Sequence, residues 1–186
     1  MQRLIVFNHV SLDGFFVDAR GEMSWAHKSD PEWDEYSSKN ASGGGTMVFG
    51  RKTYEMMVAF WPTQAAAKAL PIVARQMNAM PKLVFSRTLE AVSWNNTRLV
   101  KTSPAAEIRR LKSEPGNGMA ILGSGSIVAQ LAAEGLVDEF TVVVNPLVLG
   151  SGRTMFEGLT KTLALKLTGS REFRNGNVVL TYEPAR

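Results

Sequence analysis

The stretch Met119-Ala-Ile-Leu-Gly-Ser-Gly-Ser-Ile-Val-Ala-Gln-Leu131 decides how the chain is read. Ala120, Ile121 and Leu122 form a short apolar run with strand character. Gly123-Ser124-Gly125-Ser126 breaks it, and Ile127, Val128 and Leu131 then recur as on the buried face of a helix. The order is strand, tight glycine turn, helix start. The first turn of a helix leaves backbone N–H groups unpaired and carries a partial positive charge, which suits a phosphate. Glycine lets a diester come close because no Cβ intervenes. The standard dinucleotide fingerprint wants a third small residue where Val128 stands, and an acid about 20 positions on, where Val143 stands. This is therefore not a standard Rossmann opening, and an ordinary strand-to-helix turn has an equal claim on the glycines.

Working outward, residues 4–10 (Leu-Ile-Val-Phe-Asn-His-Val) read as a buried strand. Ser11-Leu12-Asp13-Gly14 breaks it, and Phe15-Phe16-Val17 resumes. His9 reads as a packed side chain. Asp30-Pro31-Glu32 opens a helix, with Asp at the N-cap and Pro at the first helical position. It carries Trp33, Asp34 and Tyr36 to about Asn40, and Ser42-Gly-Gly-Gly45 ends it. Thr46-Met-Val-Phe49 is a strand, and Gly50-Arg51-Lys52-Thr53-Tyr54-Glu55 turns into a helix. Gly45 and Gly50 have P-loop spacing, but Arg51 intervenes before Lys52-Thr53 and the residues between the glycines are strand-like. The P-loop is rejected. Arg51 at a helix start instead offers a guanidinium fork for a phosphate, although an exposed arginine on a helix end is the plainer reading.

Residues 64–80 are helical in composition with a break at Pro71. Lys82-Leu-Val-Phe-Ser86 is a strand ending in Ser86-Arg87-Thr88, polar and basic residues well placed for a ligand in a parallel sheet. Arg98-Leu-Val100 is a short strand, and Ser103-Pro104 opens a helix to about Ser113. After a helix at 126–134, Gly135 is its C-cap. A strand follows at 137–144, and two more, at about 162–172 and 177–183, flank the hairpin signal Asn175-Gly176. The expected class is α/β: one three-layer αβα domain over 1–186, with a mostly parallel central sheet and an antiparallel carboxyl-terminal hairpin.

At 186 residues the chain suits one domain and can bury about 70% of its unfolded surface without staples. It has no cysteine and only two histidines, His9 and His27, which leaves no thiol chemistry and little for a zinc site or catalytic triad. No metal is expected. Net charge is +4 and the sequence pI about 9.5, but the basic residues are scattered, so nucleic acid is not an expected partner. The start has too short an apolar run for a signal peptide, and no run approaches the roughly 18 residues of a membrane span. A soluble, cytoplasmic protein is expected.

Four segments line up with one family. Met47-Val-Phe-Gly-Arg-Lys-Thr-Tyr-Glu55 resembles the strand–helix turn of dihydrofolate reductases. Lys82-Leu-Val-Phe-Ser-Arg-Thr88 resembles their next strand, and Ile121-Leu-Gly-Ser-Gly-Ser126 their glycine-rich turn. Leu136-Val-Asp-Glu-Phe140, Asn145-Pro-Leu-Val-Leu-Gly-Ser-Gly-Arg-Thr-Met-Phe156 and Ser11-Leu-Asp-Gly14 resemble the carboxyl-terminal reductase domain of the bifunctional riboflavin-biosynthesis enzyme. The chain is identified as a member of the dihydrofolate-reductase-like superfamily, in that branch.

The resemblance implies an NADPH-dependent reductase with a dihydrofolate-reductase-like fold. Its hydride acceptor would be a small planar heterocycle, pterin-like or like the pyrimidine 5-amino-6-(5-phosphoribosylamino)uracil of riboflavin biosynthesis. Arg51, Ser86 and Arg87 would hold the 2′-phosphate and adenosine end. Lys52 and Thr53 would lie along the pyrophosphate, with Gly123, Ser124, Gly125 and Ser126 on its other side. An Arg fork and a hydroxyl suit a dianionic 2′-phosphate, and no acid is expected beside these positions. For the catalytic acid, Asp13 follows the first strand and matches the branch motif, with a turn residue before Gly14 as the alternative. Asp34 is reached by counting back from Arg51, Asp30 by counting forward from Trp25. Trp25, Phe60 and Trp61 would wall the ring pocket, and a homodimer is expected from the branch. Two rivals remain: a nucleotide- or pterin-binding protein that keeps the fold without redox chemistry, and a basic nucleic-acid-associated protein.

Overall fold

The computed structural model describes residues 1–26, 30–41 and 44–185. The chain runs β1 (Leu4–Ser11), β2 (Phe15–Val17), α1 (Pro31–Ala41), β3 (Thr46–Gly50), α2 (Arg51–Phe60), α3 (Gln64–Ala69), α4 (Pro71–Ala79), β4 (Lys82–Phe85), β5 (Thr97–Val100), α5 (Pro104–Ser113), β6 (Met119–Leu122), α6 (Gly125–Ala133), β7 (Glu139–Asn145), β8 (Arg153–Thr154), β9 (Leu165–Glu172) and β10 (Val178–Pro184). Among the described residues, eight strands make one sheet in the order β5-β4-β3-β6-β1-β7-β10-β9. β5 to β7 are parallel, β10 is antiparallel to β7, and β9 is antiparallel to β10. The parallel sheet with an antiparallel terminal hairpin is the architecture read from the sequence. β2 and β8 form a separate two-stranded ribbon.

Local chemistry sets the helix ends. The Asp30 carboxylate accepts the Glu32 and Trp33 N–H groups (3.0 and 3.3 Å), so it caps α1. The expected stop at residues 42–45 lies partly outside the described residues, as does His27. Pro71 divides two helices because it cannot continue α3 but suits the first position of α4. Gly135, at φ +65°, ends α6 with the Leu136 N–H on the Leu131 carbonyl at 3.0 Å.

Strand alternation divides the core between the two faces. Val6, Val48 and Ile121 pack with Ile108 of α5 and Val128 and Leu131 of α6. Met47, Phe49 and Val84 face Tyr54 of α2 and Met77 of α4, while Val143 and Val179 face Trp33 of α1. Helices on both faces are what continuous apolar strands require. Lys82 is buried at the start of β4, where its ammonium donates to the Met80, Asn95 and Asn78 carbonyls (2.7, 3.1 and 3.3 Å) and lies 4.4 Å from the Trp94 ring. It thereby satisfies carbonyls at the end of α4. No described helix is long and apolar enough to cross a membrane.

Candidate functional site

Parallel strands bring their carboxyl ends to one edge, and ligands in open α/β sheets bind there. β4, β3 and β6 are neighbours, and Gly50 stands beside Phe85 in register. Ser86-Arg87, Arg51-Lys52 and Gly123-Ser124 therefore leave adjacent strands at one edge of the sheet.

The glycine turn is stitched to that edge. The Gly50 N–H donates to Ser124 Oγ (2.9 Å), the Ser124 N–H donates to Thr53 Oγ1 (3.0 Å), and Ser124 Oγ donates to the Leu122 carbonyl (3.2 Å). These bonds hold Ser124 at φ +57°, a left-handed conformation costing a non-glycine residue roughly 1 kcal/mol. Gly123 is left-handed as well, at φ +60°, and a Cβ there would stand 3.0 Å from Thr53 Cγ2. From the other side Asn8, buried in β1, donates Nδ2 to the Gly123 carbonyl (3.0 Å) and accepts the Gly123 N–H on Oδ1.

Beyond the turn, the N–H groups of Gly125 and Ser126 open α6 with no hydrogen-bond partner among the described residues. Ser126 is exposed. The exposed Ser126 at this helix start, with Arg51, Lys52 and Arg87 exposed on the neighbouring strand ends, forms a donor set that fits a phosphorylated nucleotide, while Gly125 is buried against Phe16.

Two details differ from the reading of the sequence. An acid does stand beside Arg51: its Nη1 is 3.1 Å from Glu55 Oε1, an i,i+4 pair on α2 with both side chains nearly half exposed. Glu55 is four residues on in sequence, and the turn of α2 brings it beside Arg51. The Thr53 and Ser86 hydroxyls also have local duties. Thr53 holds Ser124, and Ser86 Oγ accepts the Thr88 and Leu89 N–H groups (3.2 and 3.0 Å), which closes the turn after β4.

The expected acids are placed as follows. The Asp13 carboxylate accepts the Leu149 and Gly150 N–H groups (3.1 and 2.7 Å), and Leu12 donates to the Leu147 carbonyl (2.8 Å). Asp13 therefore ties the loop after β1 to the loop after β7. The Ser11 hydroxyl, with the Gly150 and Leu149 amides, holds its carboxyl below the usual range. Asp34 lies one turn inside α1, its N–H on the Asp30 carbonyl (2.8 Å).

Among the described residues, no ring contact joins Trp25 to Phe60 or Trp61 of the expected aromatic wall. Trp25 lies on a 3₁₀ turn (Ser24–Ala26), with its indole N–H on the Glu22 carbonyl (3.2 Å). Phe60 and Trp61 meet each other, centroids 5.1 Å apart, at the end of α2 away from the Arg51 end. The Trp61 ring packs into the core beside Met57. A second aromatic group, unread in the sequence, lies under α1: Trp33 meets His9 (5.4 Å), Phe173 (5.1 Å) and Tyr36 (5.5 Å). His9 is packed there, as expected, and its Nδ1 lies against the Asn145 amide.

The family model of the RibD C-terminal domain matches residues 2–179. The chain belongs to the RibD C-terminal domain family. YyaP, an uncharacterised protein of Bacillus subtilis (strain 168), is 28% identical over 181 residues, 97% of this chain and 94% of its own. A solved structure of a putative riboflavin biosynthesis protein from Shewanella sp. PV-4 superposes with TM-score 0.79 at 25% identity, over the whole of both chains. The Thermotoga maritima diaminohydroxyphosphoribosylaminopyrimidine deaminase/5-amino-6-(5-phosphoribosylamino)uracil reductase superposes with TM-score 0.70 at 14% identity, over 99% of this chain and 57% of that one. That last likeness carries the fold alone. As a RibD C-terminal domain, the chain has a reductase-like architecture, and the strand-end cradle described above is its candidate site.

Proposed function

We propose that this RibD C-terminal domain is an NADPH-dependent oxidoreductase acting on a small planar heterocycle, pterin-like or pyrimidine-like. One observation supports the reading: the glycine turn that opens α6 is fixed to the ends of β3 and β1 by side-chain hydrogen bonds, at the same edge of the sheet from which the exposed Arg51, Lys52 and Arg87 leave β3 and β4. When bound, the cofactor supplies the hydride. The chain's own part is to bind and orient. The Ser126 amide and Lys52 suit the pyrophosphate. Arg51 and Arg87 suit the 2′-phosphate, with Ser86 shaping the turn that carries Arg87.

On the substrate side, Asp13 positions its loop rather than donating a proton, because a carboxylate held by amides and a hydroxyl stays ionised. With Asp13 so committed, the proton for the acceptor would be drawn from solvent water.

A thermal-shift comparison of NADPH, NADH and FMN on the wild-type chain and Arg51→Ala tests this. A larger shift with NADPH than with NADH, reduced by Arg51→Ala, is expected. An NADPH shift with no NADPH oxidation by any pterin- or flavin-type acceptor favours the non-catalytic reading. Equal shifts with NADPH and NADH overturn the cofactor assignment.

A further inference from the structure

Asn177 is fully buried, and neither Nδ2 nor Oδ1 of its side chain has a hydrogen-bond partner among the described residues. Its backbone is fully used: the N–H donates to Asn175 Oδ1 (3.0 Å) and the carbonyl accepts from Phe173 (2.9 Å). Only the carboxamide is unspent. Burying such a group unpaired costs about 1–3 kcal/mol, so native chains rarely leave one without a purpose.

The ladder shows where the amide sits. Val178 pairs with Val144 in the antiparallel β10–β7 ladder, so Asn177 stands opposite Asn145 one step further on. Residues opposite each other in such a ladder share a face. On that face Val143 and Val179 pack against Trp33 and Phe173. His9 in β1 lies opposite Val143 and touches both Asn145 and Trp33. Asn177, Asn145 and His9 therefore lie at one edge of the sheet, at the carboxyl ends of β1 and β7 and just before the amino end of the antiparallel β10, on the face covered by the aromatic rings of α1 and the hairpin. Asn145 is already committed, donating to the Val10 and Val143 carbonyls (3.1 Å each).

A polar amide among flat aromatic rings is complementary to a planar ring that carries an adjacent N–H and C=O. The carboxamide offers one donor and one acceptor side by side and matches such an edge in pairs. We propose that Asn177, with Asn145 and His9 beside it, forms a polar subsite that takes the cyclic-amide edge of the substrate heterocycle. This rests on the reductase reading for the word substrate, while the subsite itself rests on Asn177. Gly176 lies against Pro146, where a Cβ would stand 2.9 Å from its Cγ, and Asn177 is closed to solvent in this conformation, so the proposal requires the turn at 173–177 to open for a ligand.

The experiment uses lumazine (pteridine-2,4-dione) and 1,3-dimethyllumazine, whose ring N–H groups are methylated, in fluorescence titrations. The wild-type chain should bind lumazine at least tenfold more tightly than the dimethyl form, and Asn177→Leu should lose that preference. The NADPH-induced thermal shift should be the same in both chains. Equal binding of the two probes by the wild-type chain, or undiminished lumazine preference in Asn177→Leu, overturns the subsite and leaves the amide to a buried water. No lumazine binding by the wild-type chain overturns it too. Lumazine discrimination without any NADPH shift sinks the reductase reading and keeps the subsite. The comparison of the two probes on the wild-type chain does not depend on how the variant folds.

Discussion

Asn8 holds both backbone polar groups of Gly123: its Nδ2 donates to the Gly123 carbonyl at 3.0 Å, and its Oδ1 accepts the Gly123 N–H. No other side chain in the cradle grips the turn at two points of one residue. Asn8→Ala should therefore leave two buried backbone groups unpaired and cost about 2–4 kcal/mol in chemical denaturation. The NADPH thermal shift should fall with it. Unchanged stability would show that the turn holds its shape without β1.

Gly123→Ala adds a methyl 3.0 Å from Thr53 Cγ2 at a residue with φ +60°. The left-handed conformation alone costs roughly 1–2 kcal/mol, and the crowding of Thr53 adds to it. Thr53→Ser in the same chain removes the Cγ2 methyl and keeps the hydroxyl that holds Ser124. It should recover part of the loss, as read by melting temperature.

Glu55 competes for Arg51. The pair is exposed, so Glu55→Gln should change stability by no more than about 0.5 kcal/mol. Releasing the guanidinium should tighten NADPH binding several-fold and leave NADH unchanged, as read by isothermal titration. Equal effects on the two cofactors would place Arg51 away from the 2′-phosphate.

Glu107 of α5 is 11% exposed and lies between Arg110 and Arg98; the Arg110 hydrogen bond, then Arg98, holds its carboxyl down to about 2. A carboxyl lower in the folded than in the unfolded chain adds stability above its unfolded value of 4.5, and loses it as pH falls from there toward about 2. Both arginines are half exposed, so solvent screening trims the contribution to about 1–2 kcal/mol. Glu107→Gln should lower stability by that amount at pH 7 and flatten the acid limb of a stability-against-pH curve in that window.

Much of this was legible in the sequence. Apolar runs bounded by glycine and proline marked the parallel strands, and Asn175-Gly176 marked the hairpin because that turn demands φ > 0, found at Gly176. The strand-end residues followed from the same pattern. Asn8 escaped because it sits inside a run read as apolar, where a buried polar residue already implied an unseen partner. The Arg153–Thr154 strand is too short to carry a period. Asn145 and Asn177 face each other across a ladder joining residues far apart in sequence, a relation that only the fold creates.

The stitched cradle and the aromatic face under α1 share no hydrogen bond among those holding the glycine turn. On the proposed reading, the rings that would face an acceptor, Trp33, His9 and Phe173, stand outside the hydrogen bonds that Asn8, Thr53 and Ser124 make to hold the turn. On that reading, a lineage built on this frame can vary its acceptor while keeping its nucleotide cradle. If the proposal holds, relatives would be expected to part ways in acceptor earlier than in cofactor.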